Sequence, residues 1–154
     1  MEELHGLCAP QDDIGYLIWK VTKFWHRGKL KMLEDYELTT SQLEVLGAVF
    51  WKNKTETTDL TQVILSQETD IDPMTISTIL RNLQKKGLIN RTESKSDTRA
   101  RIVEITDLGS DLFLKALRSV KEKQDILFAN IDKEALKAQL RILLEELDKQ
   151  KNDY

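Results

Sequence analysis

The sequence predicts a mainly α-helical fold carrying one small β-hairpin, and three observations predict it. Apolar residues recur at steps of three and four along much of the chain. Capping signals stand at the starts of these segments. Between the fourth and fifth of them, Leu88 to Thr106 holds two short β-prone runs around a charged tip, Ser94-Lys-Ser-Asp-Thr-Arg-Ala100. The 154 residues, 40% hydrophobic and 32% charged, suit one domain, or one domain with oligomerisation arms.

Taken in order, Ile14, Leu17, Ile18, Val21, Phe24 and Trp25 form the apolar stripe of a long first helix, capped at Asp12 or Asp13 and reaching about Asp35. Thr39-Thr-Ser-Gln42 has the form of a capping box. It opens a second helix bearing Leu43, Leu46, Val49 and Phe50, which ends near Lys52, and the polar run 52–58 reads as a loop. Thr61 caps a short third helix containing Val63, Ile64 and Leu65, which runs out at Thr69-Asp70. Asp72-Pro73 supplies an N-cap and a first-turn proline for the fourth helix, and Gly87 ends it. Strands follow at Leu88–Thr92 and Arg101–Ile105. Thr106 caps a fifth helix carrying Leu112, Phe113, Leu117, Val120, Leu127 and Phe128, and Asp132 starts a sixth with Leu136, Leu140, Leu143, Leu144 and Leu147.

The fourth helix divides cleanly at about 100° per residue. Ile76, Ile79, Leu80 and Leu83 make a core stripe. Met74, Thr75, Thr78, Arg81, Asn82 and Lys85 lie opposite, a face of hydroxyl, amide and guanidinium groups without a carboxylate. A solvated helix usually shows Glu, Lys and Gln there, whereas these side chains are the ones that bond base edges and phosphates in a major groove. Behind a short helix and a tight connection, the fourth helix takes the position of the second helix of a helix-turn-helix. The hairpin then reads as a wing, with Lys95, Arg99 and Arg101 as its cations and Asp97 placed to brace Arg99, whose guanidinium suits a narrow, electronegative minor groove. From Met74 to Arg101 there are seven basic residues against two acidic ones, a local charge of +5 in a chain of net charge −3. A basic surface on an acidic body is the footprint of a site-specific binder of double-stranded DNA. The expected architecture is a winged helix-turn-helix with long N- and C-terminal helices.

These residues also spell a family. Asp97-Thr-Arg99-Ala-Arg-Ile-Val103-Glu-Ile105-Thr106-Asp-Leu-Gly109 resembles the wing signature of MarR-type (multiple antibiotic resistance regulator) transcriptional regulators. Leu38-Thr39-x-x-Gln42-x-x-Val45-Leu46, Asp72-Pro73-x-Thr75-Ile76-Ser77 and Leu83-x-x-Lys86-Gly87-Leu88-Ile89-x-Arg91 resemble the family's pattern upstream. The resemblance covers about residues 12–150 of a single domain, 1–154, with a winged helix-turn-helix at about 38–106 and dimerisation helices at about 12–37 and 107–150. It implies a cytoplasmic homodimer, usually a repressor, that reads a palindromic operator and responds to a small lipophilic or phenolic effector. It also implies that Ser77, Thr78 and their neighbours contact bases, while Arg99 enters the minor groove supported by Asp97. The chain departs from the pattern in two places: Thr69-Asp70 replaces an apolar residue and glycine before the turn, and Thr78 stands where many relatives carry arginine.

Dimerisation also follows from surface area, because a core of about 90 residues cannot cover three long apolar stripes. Trp19, Trp25, His26 and Trp51 supply the aromatic lining of a ligand pocket, although aromatics at helical spacing also serve as plain core. Cys8, the single cysteine, excludes an internal disulfide and offers a redox-responsive alternative. His5-x-x-Cys8 has metal-like spacing but is an incomplete ligand set. No phosphate loop, paired-histidine motif or serine elbow is present, so neither an enzyme nor a cofactor is expected. The competing class is a winged-helix module for protein–protein assembly. No apolar run approaches the roughly 18 residues of a membrane span, and the acidic N-terminus is unlike a signal peptide, so no membrane partner is expected.

Overall fold

The computed structural model describes residues 10–55, 59–94 and 100–151. It forms two compact units, Met1–Leu117 and Arg118–Tyr154. A 3-10 turn at Pro10–Asp12 precedes six α-helices and one hairpin: α1 (Ile14–Leu33), α2 (Thr40–Thr55), α3 (Gln62–Thr69), α4 (Pro73–Lys85), β1 (Ile89–Glu93), β2 (Arg101–Ile105), α5 (Asp107–Leu127) and α6 (Lys133–Lys151).

The caps stand where the side chains dictate. Asp13 accepts the Tyr16 N–H at 2.7 Å. Thr39 and Gln42 form the reciprocal capping box, each side chain bonding the other's backbone N–H at 3.1 Å. Thr61 opens α3, Asp72 opens α4, and Asp132 accepts the Ala135 N–H at 3.0 Å to open α6. At the end of α4, Gly87 sits at φ +72, with its N–H donating to the Gln84 carbonyl and the Leu88 N–H to the Leu83 carbonyl. That pair of bonds is a Schellman closure, and the left-handed position is the one a glycine fills at least cost.

Three boundaries differ from expectation. The first helix stops at Leu33, because Glu34–Tyr36 tighten into a 3-10 turn and Glu37 turns left-handed at φ 52. β1 is shifted one residue, to Ile89–Glu93, since Leu88 is consumed by the Schellman bond. The second helix continues to Thr55, so residues 52–55 are helix and not loop. Each of these polar residues has work on the helix: Lys52 pairs with Glu68 of α3 at 2.9 Å, Lys54 lies over the Phe50 ring at 4.3 Å, and the Thr55 hydroxyl donates to the Trp51 carbonyl.

The first unit is built around Leu33, Val45, Leu46, Val49, Phe50, Leu65, Ile76, Leu80, Leu83, Ile89 and Val103, all essentially without solvent exposure. The expected α4 stripe is therefore core. Gly47 permits Phe113 to lie against α2, where a Cβ would come within 2.9 Å of the ring, and Phe113 stacks at a tilt on Phe50 with centroids 4.9 Å apart. The hairpin is antiparallel, with Arg91 opposite Val103 and Glu93 opposite Arg101. The outer edge of β2 is also occupied: Thr61 bridges Ile102, and the Val103 N–H donates to the Leu60 carbonyl at 2.8 Å. Asn53 completes that edge from α2, accepting the Ile105 N–H and donating to the Val103 carbonyl. The wing is thus fastened to the helices at its base.

In the second unit α6 carries Leu136, Leu140, Leu143, Leu144 and Leu147, all between 36% and 60% exposed. α1 likewise exposes Ile14, Leu17, Ile18, Val21 and Phe24. Among the described residues, no helix is long and apolar enough to cross a membrane.

Candidate nucleic-acid interface

α4 presents its polar face to solvent. Thr75, Thr78, Arg81, Asn82 and Lys85 are exposed and Ser77 is half-buried. Thr78, Arg81, Asn82, Gln84 and Lys85 line one shallow, open concavity. The acid that caps α4, Asp72, has its Oδ1 on the helix start, accepting the N–H groups of Met74 at 3.1 Å and Thr75 at 2.9 Å. Bonds from the Thr75 side chain, then from its backbone, hold the Asp72 carboxyl below its ordinary value. The acid is therefore engaged by the helix that it caps.

Along the same face, the Thr78 hydroxyl donates to the Met74 carbonyl at 3.2 Å, and Arg81 Nη2 donates to the Thr78 oxygen at 3.2 Å while its Nε reaches the Ser77 carbonyl at 3.4 Å. Arg81 lies along the surface of its own helix. These exposed bonds are exchangeable, each contributing about 1 kcal/mol or less.

Arg101 begins β2 and is exposed. Lys95, Asp97 and Arg99 of the wing tip lie outside the described residues, as do His5 and Cys8. The flanks of the tip are described: the Ser94 N–H donates to the Ala100 carbonyl at 3.0 Å, and the buried Ser94 hydroxyl lies 3.5 Å from Asp59 Oδ2. Both ends of the tip are consequently pinned to one place.

Arg91 is a further candidate, outside the site residues expected from the sequence. It sits in β1 between helix and wing, with one Nη donating to Gln62 Oε1 at 3.5 Å, and Gln62 itself donates to the Pro73 carbonyl at the start of α4. Its Nε is buried without a hydrogen-bond partner. Burial first, then the neighbouring Arg101 and Arg81, push the guanidinium below its ordinary value. Arg91 thus stands partly buried in the positive field of Arg101 and Arg81, which an anion would relieve. The signal was present in the strand alternation, which puts Arg91 two residues from buried Ile89 on the core-facing side.

Of the aromatic candidates, Trp19, Trp25 and His26 are on α1 and Trp51 is on α2. Trp19 and Trp51 are each about half exposed, Trp19 with Lys23 Nζ over its ring at 4.6 Å and Trp51 edge-on to Phe50 at 5.2 Å.

Residues 28–116, which hold α2 to β2 entire, match the family model described as "Transcriptional regulator SarA/Rot". The chain belongs to the SarA/Rot family of transcriptional regulators. The chain is also 29% identical over 129 residues to the HTH-type transcriptional regulator YdcH of Bacillus subtilis (strain 168), covering 84% of this chain and 87% of that one. Two solved structures share the fold of this SarA/Rot member. CouR from Rhodococcus jostii RHA1, bound to p-coumaroyl-CoA, superposes with a TM-score of 0.77 at 24% identity, covering 92% of this chain and 95% of its own. S. aureus MepR, in complex with DNA, gives 0.76 at 24% identity, covering 90% and 99%. The MarR-type winged-helix fold expected from the sequence is the fold observed.

Proposed function

We propose that this transcriptional regulator is a homodimeric repressor that reads a palindromic operator, with α4 in the major groove and the wing tip in the adjacent minor groove. The observation that carries this reading is the face of α4. It offers hydroxyl, amide, guanidinium and ammonium groups to solvent, and the nearby carboxylate of Asp72 is occupied by the helix start. In this reading Thr75, Ser77, Thr78 and Asn82 meet base edges, Arg81, Lys85 and Arg101 meet phosphates, and Arg99, braced by Asp97, follows the minor groove.

The exposed stripes of α1 and α6 support the dimer, since apolar surface of that length is costly to leave in water. Two-fold pairing sets the recognition helices one or more turns of DNA apart, about 34 Å for one turn, which requires a palindrome. Effector control is supported by the aromatic groups on α1 and α2 and by the CouR likeness, CouR having been solved with p-coumaroyl-CoA. The effector class is a small lipophilic or phenolic molecule, received near Trp19, Trp25, His26 and Trp51. Light scattering coupled to size exclusion tests the dimer, and anisotropy on a duplex selected from a random library tests the operator. A monomer, or equal affinity for the selected and a scrambled duplex, overturns this reading.

A further inference from the structure

Met74 is the most solvent-exposed large apolar side chain among the described residues, at 83%. Others of high exposure, such as Ile14, Val21 and Phe24, fall in the long stripe of α1. Met74 belongs to no such stripe. At 100° per residue, Thr78, Arg81 and Lys85 lie within about 40° of it, so it heads the central row of the polar face. It stands in the first turn of α4, the part of a recognition helix that enters the groove deepest.

The backbone around Met74 is fixed by the start of the helix. The Thr78 hydroxyl donates to the Met74 carbonyl, and the Met74 N–H is held by Asp72. Beside the exposed hydroxyls, the leading end of the helix projects one long, unbranched thioether. Its backbone is fixed by the cap and its side chain is free to adjust. A polar base edge gains nothing from such a group. The one apolar feature of the major groove is the C5-methyl of thymine.

We propose that Met74 is a specificity-determining residue that packs its side chain on a thymine methyl in each operator half-site. This assignment rests on the operator reading above, and adds to it which base atom the tip of α4 recognises. The contact buries two apolar groups that otherwise stand in water, and it discriminates thymine from cytosine without a hydrogen bond.

The test uses the full chain and a duplex that it selects from a random library. Each thymine is replaced in turn by deoxyuridine, which removes only the methyl, and each duplex is titrated with wild type and with Met74→Ala. The expected result is one position per half-site where loss of the methyl weakens wild type about three- to tenfold and leaves Met74→Ala unaffected. At every other position the two proteins respond alike. Met74 being exposed, the variant's thermal midpoint should match wild type, which separates a lost contact from a lost fold. An enriched duplex on which the two proteins respond alike at every thymine overturns the assignment alone. A library from which nothing is enriched overturns the operator reading and the assignment with it.

Discussion

The carboxamide oxygen of Asn53, near the end of α2, accepts the backbone N–H of Ile105 in the wing at 2.9 Å. The same side chain donates to the Val103 carbonyl at 3.4 Å, so one residue completes the outer edge of β2 beside Leu60 and Thr61. Asn53→Ala should destabilise the chain by about 1–2 kcal/mol, the sum expected for two partly solvated bonds. It should also weaken DNA binding, because the wing loses its hold on the helices. Urea unfolding and anisotropy check both; an unchanged midpoint would assign the Asn53 bonds no net role.

Gly109 decides how α5 leaves the wing. A Cβ there would lie 2.0 Å from the Leu88 carbonyl oxygen and 3.0 Å from Ile105, and the first obstacle is backbone, which cannot rotate away. Gly109→Ala should cost about 3 kcal/mol or more, at the upper end of overpacking effects. Gly28→Ala makes the contrast: it lies inside α1 with nothing within 4 Å of the added methyl, and should stabilise by about 0.5–1 kcal/mol. Chemical denaturation of the two variants beside wild type would reveal any reversal of this order.

Much of this architecture was legible because it rests on local chemistry. The Thr39–Gln42 box, the Asp72-Pro73 start and the Gly87 stop each act within a few residues, and α4 divides into core and polar faces by periodicity alone. What escaped depends on long-range partners. Asn53 and Lys52 looked like loop residues until β2 and Glu68 were seen to hold them in helix. Arg91 is one cation among seven in the sequence, and its burial beside Gln62 sets it apart. The Thr78 hydroxyl also bonds the Met74 carbonyl within its own helix, a contact that the alternation of faces does not show.

Arg91→Gln should weaken binding to selected and scrambled duplexes by the same factor. Its plot of log affinity against log salt should be shallower by about 0.9, the signature of one lost phosphate contact. An unchanged slope with a lowered thermal midpoint would make Arg91 a packing residue. Thr78→Ala should instead narrow the gap between the two duplexes, as expected for a group facing bases.

The Asp72 cap carries a pH dependence of defined sign. Its folded-state carboxyl is held below the ordinary value, so its stabilisation is fully present above about pH 4 and is lost as pH falls through the folded value. Thermal midpoints of wild type and Asp72→Asn, followed from about pH 6 to about pH 3, should converge as the acid is protonated. A gap that stays constant over that range would detach the cap from its charge.

The central claim is that α4 and the wing read DNA sequence. It is tested most directly by titrating wild type and Arg99→Ala against a library-selected duplex and a scrambled one across a salt series. The account predicts tight, salt-sensitive binding that prefers the selected duplex, and a loss of about 1–3 kcal/mol with Arg99→Ala. Equal affinity for both duplexes, unmoved by Arg99→Ala, would contradict it.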